Sequence, residues 1–305
     1  MSGPQAQPIR GAQVDPAELI AARFSARYLN VSRSNRALAH LAGAKRSQRR
    51  GRGVEFEEVR QYAAGDDVRA IDWRVTARSG EAHTKLFHEE RERPVLVAAD
   101  LRQSMQFGSR NCFKSVLAAY TASLLLWSAL ERGERVGGIV FTGTQPQDIR
   151  PARSRRAVLA MIGELAKTSS EPTQELALDE QLRQIQRIAR PGSTLFLISD
   201  FQEGLLPSTL EALRSLVRHV QIIAIQTTDP LERELPKAGR YVVADPSGRS
   251  ALETGSAKLR ARYRAEFESH QGELKQQYRG LRIPIINLST EDSPLPVLQR
   301  YFPVR

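Results

Sequence analysis

Cysteine and long apolar runs are what this sequence has least of. Cys112 is the single cysteine among 305 residues, which excludes an intrachain disulfide and a cysteine metal cluster. The apolar run 124–127 is far shorter than the roughly 20 residues that cross a bilayer. The amino-terminal residues also lack the apolar segment of a signal peptide. We therefore expect a cytoplasmic protein without a transmembrane segment.

Motifs of common enzymes are absent as well. Residues 108–115 begin like a phosphate-binding loop but lack its second glycine, and there is no Gly-x-Ser-x-Gly or His-Glu-x-x-His pattern. The hydrophobic content of 41% and the charged content of 26% are ordinary for a globular protein. The sequence therefore favours a folded, noncatalytic protein.

Positive charge is concentrated near the amino terminus. The net charge is +11, and residues 1–53 contain ten basic side chains against two acidic ones. A basic arm can follow nucleic acid phosphates or an anionic membrane face, but this one matches no known nucleic-acid-binding module. We favour an acidic protein surface or simple solvation, and nucleic-acid binding through the arm stays an alternative.

Apolar strands and helices alternate from Pro94 onward. The predicted strands are 95–99, 136–141, 193–200, 221–226, 241–245 and 283–288, with 145–150 as an edge strand. The predicted helices are 112–131, 155–167, 176–190, 210–220, 257–278 and 295–301. This order predicts an α/β fold, a doubly wound and mostly parallel sheet with helices on both faces.

Three regions follow from these changes of pattern. Residues 1–53 are predicted to be a basic arm, partly disordered and partly helical. Residues 54–93 form an irregular module with little helical periodicity, and residues 94–305 form the α/β domain with a carboxyl-terminal extension.

Arginines, aspartates and aromatics are interleaved in the irregular module. The members of this cluster are Arg60, Tyr62, Asp66, Asp67, Arg69, Asp72, Trp73, Arg74 and Arg78. Forked Arg–carboxylate pairs tolerate burial, so the cluster is either a staple that holds a loop on a sheet or a recognition surface. A metal-dependent hydrolase using Asp66, Asp67 and Asp72 is a further alternative, which the surrounding arginines disfavour because they keep the carboxylates ionised.

This module resembles the signature of a bacterial family, the domain of unknown function 58 (DUF58). The resemblance is carried by Glu55-Phe56, Arg60, Tyr62, Gly65-Asp66-Asp67, Arg69, Ile71-Asp72-Trp73, Ala77-Arg78, Glu89-Glu90 and Asp100. It covers roughly residues 30 to 300, and a motif of this length is specific. The resemblance implies a von Willebrand factor A-like domain and a MoxR-type AAA+ ATPase as partner.

The implied function is that of an adaptor or assembly factor in the chaperone-like maturation of a client protein. We expect the partner-binding residues to be Arg60, Tyr62, Asp66, Asp67, Arg69, Asp72, Trp73, Arg78 and Arg102.

The resemblance also implies a Mg²⁺ site at the carboxyl end of the sheet. Its ligands would be Asp100, Ser104, Thr173 and Asp200, but Arg102 stands where the family pattern of such domains has a serine. A guanidinium cannot ligate a cation, and at about 4 Å and an effective dielectric near 20 two unit charges interact by roughly 4 kcal/mol.

Two outcomes are open for this degenerate site. Arg102 either folds inward and pairs with Asp100 and Asp200 in place of the metal, or turns outward and leaves a weakened Mg²⁺ site. We favour the first outcome, and with it a protein without a metal cofactor. Asp200 is also explained as a residue that caps the end of its strand.

Overall fold

The computed structural model describes residues 9–32, 55–63, 68, 71–88, 94–142, 147–167, 177–245 and 248–304. Contacts divide the chain into two compact units, Met1–Lys45 with Arg93–Arg305 and, separately, Arg46–Glu92. The boundaries at 53 and 93 stay a prediction.

The elements are numbered in chain order. The strands are β1 (Glu55–Gln61), β2 (His83–His88), β3 (Val95–Asp100), β4 (Val136–Phe141), β5 (Gln147–Ala152), β6 (Thr194–Ser199), β7 (Gln221–Thr228), β8 (Arg240–Asp245), β9 (Gly248–Glu253) and β10 (Ile285–Ser289). The helices are α1 (Pro16–Ala21), α2 (Arg23–Ala26), α3 (Trp73–Ser79), α4 (Lys114–Glu131), α5 (Arg155–Leu165), α6 (Leu178–Ile188), α7 (Pro207–Leu216), α8 (Pro230–Arg233), α9 (Ala257–Gly280) and α10 (Pro294–Gln299).

The larger unit is built on a six-stranded sheet with the strand order β10-β7-β6-β3-β4-β5. Neighbouring strands are parallel except for β4 and β5, which are antiparallel. The prediction of a mostly parallel, doubly wound α/β fold is confirmed, and β5 is the edge strand that the polar run 145–150 indicated. Parallel strands of this kind are apolar throughout because helices cover both faces.

Alternate residues of the central strand β3 enter two separate cores. Val95, Val97 and Ala99 belong to the core on the side of α4, whereas Leu96 and Ala98 belong to the core on the side of α6, α7 and α9. This two-residue period is what a strand between two helix layers requires. Strand β3 is therefore buried on both faces as far as Asp100, at the carboxyl edge of the sheet.

Gly138 allows β4 to lie close to β3. A Cβ atom at this position would be 1.9 Å from the carbonyl oxygen of Val97, and the backbone φ is +156°. Only glycine fits such a close approach between backbones.

Part of the basic arm belongs to the core of the larger unit. Leu19 of α1, Ala26 of α2 and Leu29, which follows α2, are buried. The side chains of Ser123 and Trp127 on α4 donate to the carbonyl oxygen of Leu19, at 2.6 and 3.1 Å. Residues 16–29 are consequently structural, whatever the rest of the arm does.

The strand predicted at 241–245 does not join the main sheet. It is β8, which pairs antiparallel with β9 in a separate two-stranded sheet, with Asp245 opposite Gly248. Val242 on this hairpin is 69% exposed. An apolar strand pattern does not show which strand will pair with it. The prediction that 241–245 joins the main sheet was therefore wrong.

The smaller unit contains β1, α3 and β2. Strands β1 and β2 pair antiparallel with Gln61 opposite His83. Asp72 is the N-cap of α3, because its Oδ1 accepts from the backbone N–H groups of Arg74 and Val75 at 3.0 and 3.2 Å. Gly80 ends the helix with a left-handed φ of +76°.

Candidate functional site

The Asp100 carboxylate is bound by a neighbouring arginine at the carboxyl end of β3. Arg102 donates from Nε to Oδ1 and from Nη2 to Oδ2, both at 3.0 Å, and its backbone N–H also reaches Oδ1 at 3.0 Å. Ser199, at the end of β6, donates to Oδ2 at 2.7 Å. Asp100 is fully buried and Arg102 is 4% exposed. A forked guanidinium therefore satisfies both oxygens of this carboxylate.

Asp200, which follows the neighbouring strand β6, pairs with a different cation. The Nζ of Lys114, the first residue of α4, lies 2.8 Å from Asp200 Oδ2 and also donates to Glu232 Oε1. The Lys114 side chain is fully buried. The inward outcome expected for Arg102 thus holds for Asp100, but Asp200 is neutralised by Lys114. The second partner of Arg102 is Glu203, 3.1 Å from its Nη1.

Asp229 joins the loops after β3, β7 and β10. Its carboxylate accepts from the hydroxyls of Ser109 and Thr290, both at 2.5 Å, and from the backbone N–H of Ser109 at 2.7 Å. Asp229 and Glu232 also form a capping box at the start of α8, in which Glu232 Oε2 accepts from the Asp229 N–H at 2.8 Å. Glu232 therefore connects this loop cluster to Lys114.

Burial and pairing shift the pKa values of three groups in this network. Burial alone would lower the pKa of Lys114, but the carboxylates of Asp200 and Glu232 together outweigh burial and raise it. Burial raises the pKa of Glu232, and the positive charge of Lys114 lowers it by less than burial raises it. Burial would also raise the pKa of Asp229, yet the hydrogen bonds from Ser109, Thr290 and backbone N–H groups lower it overall. Lys114 is consequently held charged in the interior.

Phe201 fixes the turn that follows Asp200. Its φ is +52°, in the left-handed region that a bulky residue seldom adopts. The turn is held by the Phe201 N–H, which donates to Ser199 Oγ at 3.2 Å, and by an edge-to-face contact with Tyr278 of α9 at 5.3 Å between ring centroids. Two residues further on, Glu203 lies 3.1 Å from Arg102 Nη1, and its side chain is 53% exposed. Strain of this kind is seen at functional loops.

These residues do not fit a Mg²⁺ ion. The oxygens of Asp100 already accept from Arg102 and Ser199, and Asp200 Oδ2 faces an ammonium group. Two cations beside the carboxylates would repel a third. Within the described ranges, no group of three or more His, Cys, Asp or Glu side chains is placed to hold a metal ion. The arrangement suits an internal ionic network instead.

The remaining predicted metal ligands lie apart from these contacts. Ser104 is half-buried on the short 3-10 turn Gln103–Met105, and the contacts to Asp100 come from Arg102 and Ser199 rather than from Ser104. Thr173 lies outside the described residues. Of the predicted ligands, the structure therefore brings Asp100 and Asp200 to one edge of the sheet, each beside its own cation.

The predicted partner-binding cluster is described in part. Asp66, Asp67 and Arg69 lie outside the described residues, and of Arg60 only its place in β1 is described. Tyr62 is half-buried, with its backbone N–H donating to the Ala82 carbonyl oxygen at 2.8 Å. Trp73 is 71% exposed and Arg78 is exposed on α3. The Asp72 cap supports the staple interpretation, whereas exposed Trp73 suits recognition.

The sequence predictions missed Lys114, Glu232 and Asp229. A signal was present for each of them. Lys114 is the only basic residue in the 18-residue helix α4, whose other side chains are mostly apolar and buried, and a lone lysine in such a helix indicates a buried charge with a partner. Asp229-Pro230 followed by Glu232 is the sequence of a capping box.

Cys112 is buried just before α4 rather than in its first turn. Burial, together with the nearby carboxylates of Asp229 and Glu18, raises the pKa of the thiol to about 11. A thiol that stays protonated at neutral pH is a poor nucleophile. Cys112 is therefore a packing residue.

Curated relatives of this chain are themselves uncharacterized. The uncharacterized protein Rv1480 of Mycobacterium tuberculosis (strain ATCC 25618 / H37Rv) is 27% identical over 256 residues, which cover 82% of this chain and 79% of the relative.

Two solved structures are similar to the chain at low sequence identity. An aerotolerance-related membrane protein from Bacteroides fragilis NCTC 9343 has 18% identity and a TM-score of 0.43, covering 68% of this chain and 98% of that one. A von Willebrand factor type A protein from Catenulispora acidiphila has 14% identity and a TM-score of 0.35, covering 74% of this chain and 52% of that one.

The comparison contradicts one expectation. A cytoplasmic location was expected, but the similar protein of Bacteroides fragilis is described as a membrane protein, and the expectation is withdrawn. Among the helices that the structure describes, none is both long enough and apolar enough to cross a membrane.

The model of the family described as "Protein of unknown function DUF58" matches residues 58–273, and this chain therefore belongs to the DUF58 family.

Proposed function

We propose that this protein is a noncatalytic adaptor or assembly factor that binds protein partners and works with a MoxR-type AAA+ ATPase in the chaperone-like maturation of a client. The observation that carries the proposal is the internal pairing of Asp100 with Arg102 and of Asp200 with Lys114. Buried carboxylates whose oxygens are already bound to Arg102 and Lys114 are poorly placed to ligate a metal or to contact a substrate. This edge of the sheet is better suited to binding than to catalysis.

The loops around the network offer a surface for a protein partner. Phe107, in the loop after β3, is 41% exposed, and Leu206, in the loop after β6, is 49% exposed. Strands β3 and β6 are neighbours, so both loops leave the same edge of the sheet. Glu203 adds an exposed carboxylate whose position is set by Arg102. Exposed apolar side chains with a few fixed charges are typical of protein interfaces.

Arg102 acts in this proposal through Glu203. At 4% exposure its guanidinium is out of reach of a partner, but it holds the exposed Glu203 carboxylate in place at 3.1 Å. On the smaller unit, exposed Trp73 provides a second contact surface, since large aromatic side chains contribute strongly to protein binding. The ATPase supplies the energy, and this chain presents the client or couples to the motor.

The test is a pull-down of the full-length protein from native lysate, with mass spectrometry of the retained proteins. We expect the wild type to retain a MoxR-type ATPase and the variant Phe107→Ser/Leu206→Ser/Glu203→Lys to lose it. Leu159→Ser is the matched control, because Leu159 is 45% exposed on α5, away from the carboxyl edge. Thermal unfolding must show that every variant is folded.

Two results would overturn the proposal. One is a wild type that retains no ATPase, and the other is a triple variant that retains as much ATPase as the wild type. Nucleic acid retained instead, and lost when Arg46, Arg49, Arg50 and Arg52 are changed to alanine, would assign the function to the basic arm. Deleting residues 1–53 is unsuitable for this purpose, because it would remove the buried residues of α1 and α2 from the core.

A further inference from the structure

A cleft beside the buried network carries an unbalanced positive charge. The loop after β3, the segment 230–238 and Arg260 in the first turn of α9 line an open cleft of about 620 Å³. Its lining includes Arg110, Lys237 and Arg260. We call this cavity the basic cleft. A cavity of this size accommodates a drug-sized ligand or a few side chains of a peptide.

The side chains that line the basic cleft do not neutralise its positive charge. Arg110 and Lys237 are exposed, and neither side chain pairs with a carboxylate in the part of the chain that the structure describes. The lining contains one acidic residue, Glu234, which forms an ion pair with Arg264. The cleft therefore offers at least two unsatisfied cations to a ligand, and it would attract an anionic one.

The floor of the cleft is apolar and firmly held. Leu231 and Leu235 line it between Pro230 and Pro236. The Leu231 carbonyl oxygen accepts from the Tyr263 hydroxyl of α9 at 3.1 Å, and the Asp229 capping box fixes the start of α8. A floor that is already ordered costs a ligand little conformational entropy.

The residues of the lining distinguish between anionic ligands. The lining has no aromatic side chain, so it offers no platform on which nucleic acid bases could stack. It combines apolar side chains with exposed Arg110 and Lys237. A ligand that uses both features carries acidic and apolar residues together, which is the chemistry of an acidic peptide segment.

We infer that the basic cleft binds a short acidic segment with interspersed leucine-like side chains, supplied by a protein partner. Its carboxylates pair with Arg110 and Lys237, and its apolar side chains lie on Leu231 and Leu235. The inference rests on the proposed function in that a partner protein presents the segment. It goes beyond that function in naming a separate site and the chemistry of its ligand.

The test measures fluorescence anisotropy of labelled peptides with the full-length protein at physiological ionic strength. A 12-residue peptide of alternating glutamate and leucine is compared with one that has lysine for each glutamate, and with a single-stranded oligonucleotide. We expect the acidic peptide to bind with a Kd on the order of 10 μM, and the lysine peptide and the oligonucleotide to bind at least about tenfold more weakly.

Charge reversal locates the binding. Arg110→Glu/Lys237→Glu should weaken binding of the acidic peptide by about tenfold or more. The matched control is Arg214→Glu/Lys275→Glu, two exposed basic residues on α7 and α9 outside the cleft, and it should leave binding unchanged. Both double variants should unfold at the wild-type temperature.

Each other outcome overturns the inference. Equal weakening by the two double variants would indicate nonspecific charge attraction, and preferential binding of the oligonucleotide would indicate a nucleic acid ligand. A peptide that does not bind the wild type would remove the site altogether. Because no ATPase is present in this assay, its failure is distinguishable from failure of the ATPase pull-down.

Discussion

The guanidinium of Arg102 spans the carboxylate of Asp100, with Nε and Nη2 each 3.0 Å from an oxygen. Only Leu101 separates the two residues in the sequence. The end of β3 therefore carries both a buried anion and the cation that neutralises it. The pair depends on Arg102, which stands at the position where the resemblance implies a serine.

Replacing Arg102 by serine is expected to make the stability of the protein depend on Mg²⁺. Arg102→Ser leaves Asp100 buried without a cation, which should lower the free energy of unfolding by about 3 kcal/mol or more. Added Mg²⁺ should recover part of this loss, because serine restores an oxygen ligand. Urea unfolding with and without Mg²⁺, and titration calorimetry with Mg²⁺, measure the effect.

Arg102→Met is the control for that experiment. It removes the same guanidinium without adding an oxygen, so it should lose similar stability and gain nothing from Mg²⁺. If Mg²⁺ leaves Arg102→Ser unchanged, the view of this edge as a metal site altered by one residue is wrong.

Lys114→Met should be strongly destabilising although methionine suits an apolar helix. The change leaves Asp200 and Glu232 buried without their shared cation, and we expect a loss of about 3 to 5 kcal/mol in the free energy of unfolding. Adding Asp200→Asn and Glu232→Gln removes the stranded charges and should recover part of the loss. Urea unfolding measures all three proteins.

Lys167→Met provides the comparison at an exposed pair. Lys167 is 69% exposed and lies 2.7 Å from Glu164, so its removal should cost less than about 1 kcal/mol. If Lys114→Met and Lys167→Met lower the free energy of unfolding equally, burial does not make the Lys114 ion pairs more important for stability than an exposed pair.

Asp229→Asn should destabilise the protein in a way that depends on pH. Because hydrogen bonds lower the pKa of Asp229 in the folded state, its contribution is present above the ordinary carboxyl pKa of about 3.9 and is lost as pH falls through the lowered value. Urea unfolding should therefore show a clear difference between wild type and variant at pH 7 and a smaller one near pH 3. A difference that is constant with pH would contradict this assignment.

Gly138→Ala tests the close approach of β3 and β4. The added methyl group would lie 1.9 Å from the Val97 carbonyl oxygen, so the strands must separate, and we expect a loss of at least about 3 kcal/mol. Gly163→Ala is the matched control, since nothing lies within 4 Å of its Cβ position on α5, and it should stabilise the helix by about 0.5 to 1 kcal/mol. Thermal unfolding distinguishes the two directions.

The fold was predictable because its main strands are apolar throughout and alternate with helices. The apolar composition of strand β3 and of helix α4 is enough to predict each of them. The parallel order of the strands follows from the alternation of strands and helices along the chain. The β8–β9 hairpin was not predictable in the same way, since the run 241–245 looks like any other buried strand. Its partner β9 has a largely exposed, polar sequence, which carries no apolar strand signal.

The site was only half predictable for a related reason. The departure at Arg102 is visible because its partner Asp100 is two residues away. Lys114 contacts Asp200 and Glu232 across 86 and 118 residues of sequence, and no local pattern links residues so far apart. The chemistry of a buried lysine can be suspected from sequence, but the identity of its partners comes from the fold.

The capping box of Glu232 has a consequence for synthesis on the ribosome. Lys114 is made long before Glu232, and Thr290, which holds Asp229, is made later still. Until Glu232 has been synthesised, the ammonium of Lys114 lacks its second anion. Burying this ammonium under α4 is then less favourable than in the finished protein. The buried ionic network of the larger unit is therefore complete only after its last third, which carries Glu232 and Thr290, has been synthesised.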